Sequence, residues 1–65
     1  MDDFRKWVLV QTILQDTSQR KLAQKMGIAH PRISEAINGK PAGRKYIIPL
    51  IHALGGDVSQ FQNIL

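Results

Sequence analysis

The chain contains no cysteine and few aromatic residues, namely one tryptophan, one tyrosine and two phenylalanines among 65 residues. Without cysteine there is no disulfide and no thiolate metal site, which fits a reducing cytoplasm. No apolar run approaches the roughly 20 residues that span a bilayer. The first residues, MDDFRKW, are acidic before they are basic and lack a small-residue cleavage site. We therefore expect no signal peptide, no membrane partner and a cytoplasmic location.

The chain also lacks the residue patterns of an enzyme active site. Its five acidic residues are scattered, and no two are placed as a working pair. His30 and His52 lie 22 positions apart with no cysteine or paired acid nearby, which does not suit a metal site. A chain of this length buries only roughly 60% of its unfolded surface, so a deep catalytic cleft is hard to build. We expect a single domain over residues 1–65 that is not an enzyme and takes no cofactor, metal ion or small-molecule ligand.

Positive charge is concentrated in the middle of the chain. Residues 20–45 hold seven basic residues and one acidic residue, a net charge of +6, whereas the rest of the chain carries a net charge of −2. The basic residues of this window are Arg20, Lys21, Lys25, Arg32, Lys40, Arg44 and Lys45. A basic segment between acidic ends is typical of a protein that binds a polyanion. The same charges also suit a solvated surface, so charge alone does not decide the function.

Apolar periodicity predicts five short helices, at about residues 3–15, 19–26, 31–38, 45–54 and 58–64, and no strand. In the first helix, three- and four-residue spacing places one set of residues on a single inward face: Phe4, Trp7, Val10, Gln11 and Leu14. The apolar arc is widened by Val8, Leu9 and Ile13. We expect these three to pack on the C-terminal segment, with a subunit interface as the alternative. Trp7 is expected to be a core anchor rather than a base-stacking platform.

Residues 18–38 predict two helices that cross closely. Ser18 is a good N-cap for the second helix, and Gly27 can take the left-handed conformation that ends it. Ala23 is small enough to let the two helices approach. The inner sides are predicted to carry Leu22, Ala23, Met26, Ile28, Ile33 and Ile37. The first turn of the third helix then protrudes, in the geometry that fits a DNA major groove.

The start of the third helix has an unusual composition. Ala29 offers no capping oxygen, and the fixed φ of Pro31 suits the first helical position. The proline also disfavours a helical conformation for the residue before it. We therefore predict that this helix begins near Pro31, with His30 at its cap.

Turn and cap signals define the remaining segments. Residues 40–43 are predicted to form a loop. The fourth helix is expected to bury Ile47 or Ile48, together with Leu50, Ile51 and Leu54, and to keep Pro49 in its first turn. Asp57 and Gln60 have the spacing of a capping box at the start of the last helix.

The stretch SQRKLAQKMGIAHPRISEAINGK resembles the helix-turn-helix of the lambda-repressor-like, or Cro-type, DNA-binding family of phage and bacterial regulators. The matching positions are Ser18, Gln19, Leu22, Ala23, Gly27, Ile28, Ile33, Ser34, Asn38 and Gly39. The motif covers about a third of the chain, and a fourth helix of the form YIIPLIHALGG is similar to that of the family. The resemblance implies an all-α, compact five-helix lambda-repressor-like domain with its helix-turn-helix at about residues 18–38.

The resemblance also implies roles for individual side chains. Bases would be contacted from the third helix by His30, Pro31, Arg32, Ser34 and Glu35. DNA phosphates would be bound by Gln19, Arg20, Asn38, Lys40, Arg44 and Lys45. Arginine can pair with guanine through two hydrogen bonds, and a carboxylate can accept one from cytosine N4. Two alternatives stay open: Glu35 pairs with a basic neighbour instead of a base, and Ser34 contacts phosphate or solvent.

The function implied is that of a sequence-specific transcriptional regulator, a Cro-type repressor on double-stranded operator DNA in the nucleoid or in a phage-infected cell. One helix-turn-helix contacts only a few base pairs, so we expect a dimer on a palindromic site. Its contact candidates are Phe61, Ile64 and Leu65, with Leu9 or Ile13. The alternatives are a protein-interaction module, such as an antitoxin or a phage anti-regulator, and an excisionase-like factor that shapes DNA.

Overall fold

The computed structural model describes residues 2–65, which form helices and no strand. The four α-helices are α1 (Asp2–Leu14), α2 (Gln19–Met26), α3 (His30–Ile37) and α4 (Ile47–Ala53), and two 3-10 segments cover Pro41–Tyr46 and Val58–Ile64. The predicted all-α class is confirmed. The Cα radius of gyration is 10.5 Å, close to the roughly 10.7 Å expected of a compact domain of this length. No helix within residues 2–65 is long and apolar enough to cross a membrane.

The ends of α2 follow the local signals. The Ser18 side chain accepts a hydrogen bond from the Lys21 backbone N–H at 3.1 Å, as an N-cap does. Gly27 has a φ of 70°, and the N–H of Ile28 donates to the Ala23 carbonyl at 3.0 Å, which closes the helix. Both predictions for this helix are confirmed. The next helix begins only three residues after Gly27, so α2 and α3 are held as one unit.

The predicted start of α3 is wrong by one residue. The helix begins at His30, and Ala29 occupies the cap position without a side-chain hydrogen bond. Pro31 is therefore the second helical residue, where a missing N–H still costs no intrahelical bond. The consequence is that His30 belongs to the exposed first turn of α3.

One hydrophobic core joins all four α-helices and the last 3-10 segment. Its buried members are Phe4, Val8, Leu22, Ala23, Ile33, Ala36, Ile37, Ile47, Leu50, Ile51, Leu54 and Phe61. The predicted inward residues Leu22, Ala23, Ile33 and Ile37 are among them, and Met26 and Ile28 pack against the core half-buried. Of the two candidates in α4, Ile47 is buried and Ile48 is exposed.

The predicted inward face of α1 is partly wrong. Val10 and Leu14 are exposed, whereas Phe4, Val8 and Thr12, which follow one another at four-residue spacing, face the core. The Thr12 hydroxyl donates to the Leu9 carbonyl at 2.7 Å, so its burial leaves no unpaired polar group.

Of the wider α1 arc that was expected to pack on the C-terminal segment, only Val8 is buried, as a member of the common core. Leu9 and Ile13 lie on the solvent side. The physical reason is that a helix one layer deep in a small domain can bury only one side.

The predicted loop at residues 40–43 is instead the start of the Pro41–Tyr46 3-10 segment, and α4 begins at Ile47 rather than Lys45. This segment packs closely along α3. Gly43 is buried there, and a Cβ at this position would overlap the backbone of Glu35 and Ala36. The close approach therefore depends on glycine at position 43.

The last helix is a 3-10 segment rather than an α-helix, and its predicted capping box is present. Asp57 accepts from the Ser59 N–H at 2.9 Å, and its own N–H lies 3.4 Å from Gln60 Oε1. The hydrogen bonds from Ser59, chiefly from its backbone N–H, hold the pKa of Asp57 below its ordinary value. The segment is thereby fixed at its first turn.

Phe61 is the residue that ties this last segment to α1. Its ring lies edge-on to the rings of Phe4 and Trp7, with centroid distances of 5.2 Å and 5.1 Å. Because Phe61 is buried in this way, its predicted role as a subunit contact is wrong. Trp7 is half-buried and packs on the core, as expected of an anchor.

Candidate nucleic-acid interface

The outward face of α3 is polar from its first residue. Because Ile33, Ala36 and Ile37 hold the opposite side in the core, three predicted base-contacting residues are left exposed: His30, Pro31 and Arg32. Ser34 and Glu35 are half-buried at its edge. The side chains predicted to contact bases therefore share one accessible surface, as a major-groove helix requires.

Arg32 and Glu35 form an ion pair across one turn of α3. Arg32 Nη1 donates to both carboxylate oxygens of Glu35, at 2.9 Å and 3.0 Å. The pair engages only one of the two terminal guanidinium nitrogens, and about half of the Arg32 side chain stays exposed. The alternative prediction for Glu35, an ion pair with a basic neighbour, is therefore confirmed in this structure.

Ser34 and Asn38 are also linked within α3. Asn38 Nδ2 donates to the Ser34 carbonyl at 2.9 Å and to Ser34 Oγ at 3.2 Å. The Asn38 side chain thus lies back along the helix end, although the residue itself is exposed. A phosphate contact by Asn38 requires the amide to exchange one of these bonds.

One open depression between α3 and the Pro41–Tyr46 segment is lined by Arg32, predicted to contact bases, and by Arg44 and Lys45, predicted to bind phosphates. This basic depression has a volume of about 490 Å³ and is lined by Arg32, Pro41, Ala42, Arg44, Lys45 and Tyr46. No acidic residue is part of this lining, and the one carboxylate among residues 2–65 that is paired with a lining cation is that of Glu35, beside Arg32. Like charges brought together in a concavity raise the local positive potential, which favours an anion.

Lys45 and Tyr46 are paired at this site. Lys45 Nζ lies 5.3 Å from the centroid of the Tyr46 ring, within the range of a cation–π contact. Arg44 Nη2 is 3.4 Å from the Leu65 carbonyl, a long hydrogen bond. Both basic side chains are exposed, so each can turn toward a ligand at little cost.

The other predicted phosphate contacts lie outside the basic depression. Gln19 and Arg20 occupy the first two positions of α2, directly after the Ser18 cap. Lys40 precedes the Pro41–Tyr46 segment, and its N–H closes α3 by donating to the Glu35 carbonyl at 2.9 Å. The N-terminal turn of α2 offers backbone N–H groups and a favourable dipole to an anion.

The sequence-based prediction missed Tyr46 and the shape formed by Pro41 and Ala42. The depression exists because residues 41–46 are helical and lie close to α3, whereas a loop was predicted for residues 40–43. The sequence signal for this packing was Gly43, a small residue two positions after Pro41, and proline is favoured at the first position of a helix. Within residues 2–65, no group of three His, Asp or Glu side chains is placed to hold a metal ion.

Comparisons of the chain with protein-family models, with curated proteins and with solved structures give no match.

Proposed function

We propose that the protein is a sequence-specific DNA-binding regulator of the Cro type, with a lambda-repressor-like fold, that places α3 in the major groove of operator DNA. The observation that carries this proposal is the position of Arg32. It belongs both to the polar outward face of α3 and to the basic depression with Arg44 and Lys45. The residues proposed to contact bases are thus continuous with Arg44 and Lys45, which are proposed to bind phosphates.

The Arg32–Glu35 ion pair is weak enough to yield to DNA. A helix-surface pair at i,i+3 contributes about 0.2–0.5 kcal/mol. A good bidentate arginine–guanine contact is worth about 1–3 kcal/mol of discrimination. The DNA contact is the stronger of the two, so Arg32 can leave Glu35 for guanine, and the carboxylate is then available to a cytosine N4. Until then Glu35 limits the positions that Arg32 occupies.

Phosphate binding supplies the larger, sequence-independent part of the affinity. Four cations are assigned to phosphates: Arg20, Lys40, Arg44 and Lys45. If each neutralises one phosphate, log affinity falls with log salt at a slope of roughly −3.6 per copy and −7 for two copies. The uncharged side chains of Gln19 and Asn38 help to fix the position of the protein on the duplex and add no salt dependence.

Two copies fit a two-fold operator. Half-sites one helical turn apart are separated by roughly 34–36 Å. The largest principal-axis extent of the molecule is 26 Å measured on Cα atoms. Two molecules on adjacent major grooves therefore leave a gap that side chains can bridge. Occupying such an operator would exclude polymerase or a rival regulator.

Selection of bound sites from random duplex DNA tests the proposal directly. We expect an enriched site with two inverted half-sites, and an affinity for it that falls steeply as salt is raised. Enrichment of no sequence, or an affinity that changes little between 50 mM and 200 mM salt, would contradict the proposal, because counterion release is unavoidable in phosphate binding.

The same selection separates the alternative functions. A protein-interaction module would show no preferred DNA, and an excisionase-like factor would bend DNA at adjacent multiple sites. The matched control is Lys25→Ala, since Lys25 is an exposed cation in the last turn of α2 and carries no assigned DNA contact. It should leave the selected sequence unchanged.

A further inference from the structure

The second half of α1 turns four large aliphatic side chains outward. This α1 apolar face consists of Leu9, Val10, Ile13 and Leu14, which are between 40% and 78% exposed. Three- and four-residue spacing makes them neighbours on the helix surface. Single exposed aliphatic residues are ordinary on proteins, but a contiguous group marks an interaction site.

The domain does not cover this face itself. The opposite side of α1 holds Phe4, Val8 and Thr12 in the core, and α1 cannot turn both sides inward. The last 3-10 segment packs on the Phe4 and Trp7 end of the helix. Within residues 2–65, the α1 apolar face is therefore left open, and an occupant would come from outside the domain.

We propose that this occupant is a second copy of the chain, packed antiparallel through α1 about a two-fold axis. Residues 7–15 carry no charged side chain, whereas Lys6 lies one turn before Leu9 and Val10 on the same side. At the other end, the Asp16 N–H donates to the Ile13 carbonyl at 3.2 Å, so Asp16 lies about one turn beyond Ile13.

Charge complementarity selects the antiparallel arrangement. An axis at the level of Gln11 places Leu9 of one copy opposite Ile13 of the other. The same axis brings Lys6 toward Asp16, because Lys6 lies about one turn before the apolar face and Asp16, in the turn after α1, lies about one turn beyond it. Two-fold symmetry forms each contact twice. A parallel arrangement would instead oppose Lys6 to Lys6 and Asp16 to Asp16, which is repulsive.

The charge distribution also favours a second copy over a nucleic acid. Seven of the nine basic residues lie at positions 20–45, outside α1, so two chains of net charge +4 can meet here with most of their cations elsewhere. Four aliphatic side chains form a smaller patch than the roughly 800 Å² per partner of a stable interface. We therefore expect weak association in free solution, strengthened when DNA holds two copies side by side.

This proposal deepens the dimer part of the proposed function and rests on it, but its measurement needs no DNA. Sedimentation equilibrium of the full chain up to about 1 mM should show a monomer–dimer equilibrium. Ile13→Glu should raise the dimer dissociation constant at least about tenfold, because it places an unpaired charge in an apolar contact. The matched control is Ile48→Glu, which changes an exposed aliphatic residue of α4 outside the face; it should leave dimerisation as in the wild type.

A charge-reversal series tests the geometry. Lys6→Asp and Asp16→Lys should each weaken the dimer, and the double variant should restore it, provided circular dichroism shows all three folded. A chain that stays monomeric at the highest concentration, an unaffected Ile13→Glu variant, or a double variant no better than the singles would overturn the proposal. So would Ile13-dependent binding of a monomer to vesicles of phosphatidylcholine and phosphatidylserine.

The DNA assay distinguishes this failure from failure of the proposed function. If only the α1 contact is wrong, the selected DNA site and its dependence on Arg32 remain. If only DNA binding is wrong, the dimer and the charge-reversal rescue remain.

Discussion

The outward faces of α3 and α1 differ in chemistry although both belong to short helices on one small core. The first turn of α3 exposes His30, Pro31 and Arg32, and α1 exposes an uncharged group of aliphatic residues. Binding through the first face should weaken with salt, because it depends on charge. Binding through the second should change little, because it depends on apolar burial. Exposure alone therefore does not identify a binding site. The composition of the exposed face indicates whether charge or apolar burial would drive binding there.

The largest effect on stability is expected for a substitution at Gly43, where the 3-10 segment packs against the backbone of α3. Gly43→Ala should destabilise the protein by about 1–3 kcal/mol, because the new Cβ overlaps α3. In a domain of this size that lowers the melting temperature by roughly 5–20 °C. Thermal unfolding followed by circular dichroism measures it. Ala42→Gly, an exposed change in the same segment, should shift the melting temperature much less.

The next largest effect is expected on DNA binding through the α3 face, without an effect on the α1 face. Arg32→Ala should cost about 1–3 kcal/mol of binding to the selected operator, which is roughly 5- to 150-fold in affinity, and should relax the base preference. Dimerisation without DNA should stay as in the wild type. Fluorescence anisotropy with the operator and a scrambled duplex measures the change. If the variant kept both affinity and preference, α3 would not be the base-contacting helix.

Lys40→Ala distinguishes the contribution of a phosphate contact to DNA affinity from that of the base contacts. Affinity should fall by a similar factor on every DNA sequence, and the salt slope should decrease by about one per copy. The measurement is a salt titration on operator and scrambled DNA. A loss confined to the operator would move Lys40 to the base-contacting group.

The smallest effect on stability is expected at Asp57, which caps the 3-10 segment that packs on α1 through Phe61. The pKa of Asp57 is lowered by hydrogen bonds from Ser59, so the carboxylate stabilises the fold above its ordinary pKa, and this contribution is lost as the pH falls through the lowered value. The wild type should exceed Asp57→Asn in stability at neutral pH, and the gap should close in acid. Trp7 fluorescence during urea unfolding reports it, since Phe61 packs on Trp7. A gap independent of pH would remove the charge from the explanation.

The predictions from sequence succeeded where the physical signal is local. The Ser18 cap, the left-handed Gly27 and the Asp57 capping box are each decided by residues within one turn. The burial of Ile33 and Ile37 follows from helical spacing on a segment with only one apolar side.

The predictions failed where several apolar residues competed for one small core. In α1, Val10 and Leu14 have the spacing of a buried face as plausibly as Val8 does, and only packing into the common core selects between them. The predicted start of α3 was wrong because the preference of a residue before proline for a non-helical conformation is weaker than the helical hydrogen bonds around His30.

The sequence by itself determined the all-α class, the paired helices α2 and α3, and the concentration of positive charge between residues 20 and 45. These are properties of neighbouring residues, set by caps, spacing and composition. Only the tertiary structure decided that Arg32, Arg44 and Lys45 share one depression, and that the apolar residues of α1 face solvent. Both depend on how the segments pack together. The depression requires Gly43, which lets residues 41–46 lie against α3, and the exposure of the α1 residues follows from which side of α1 the core buries.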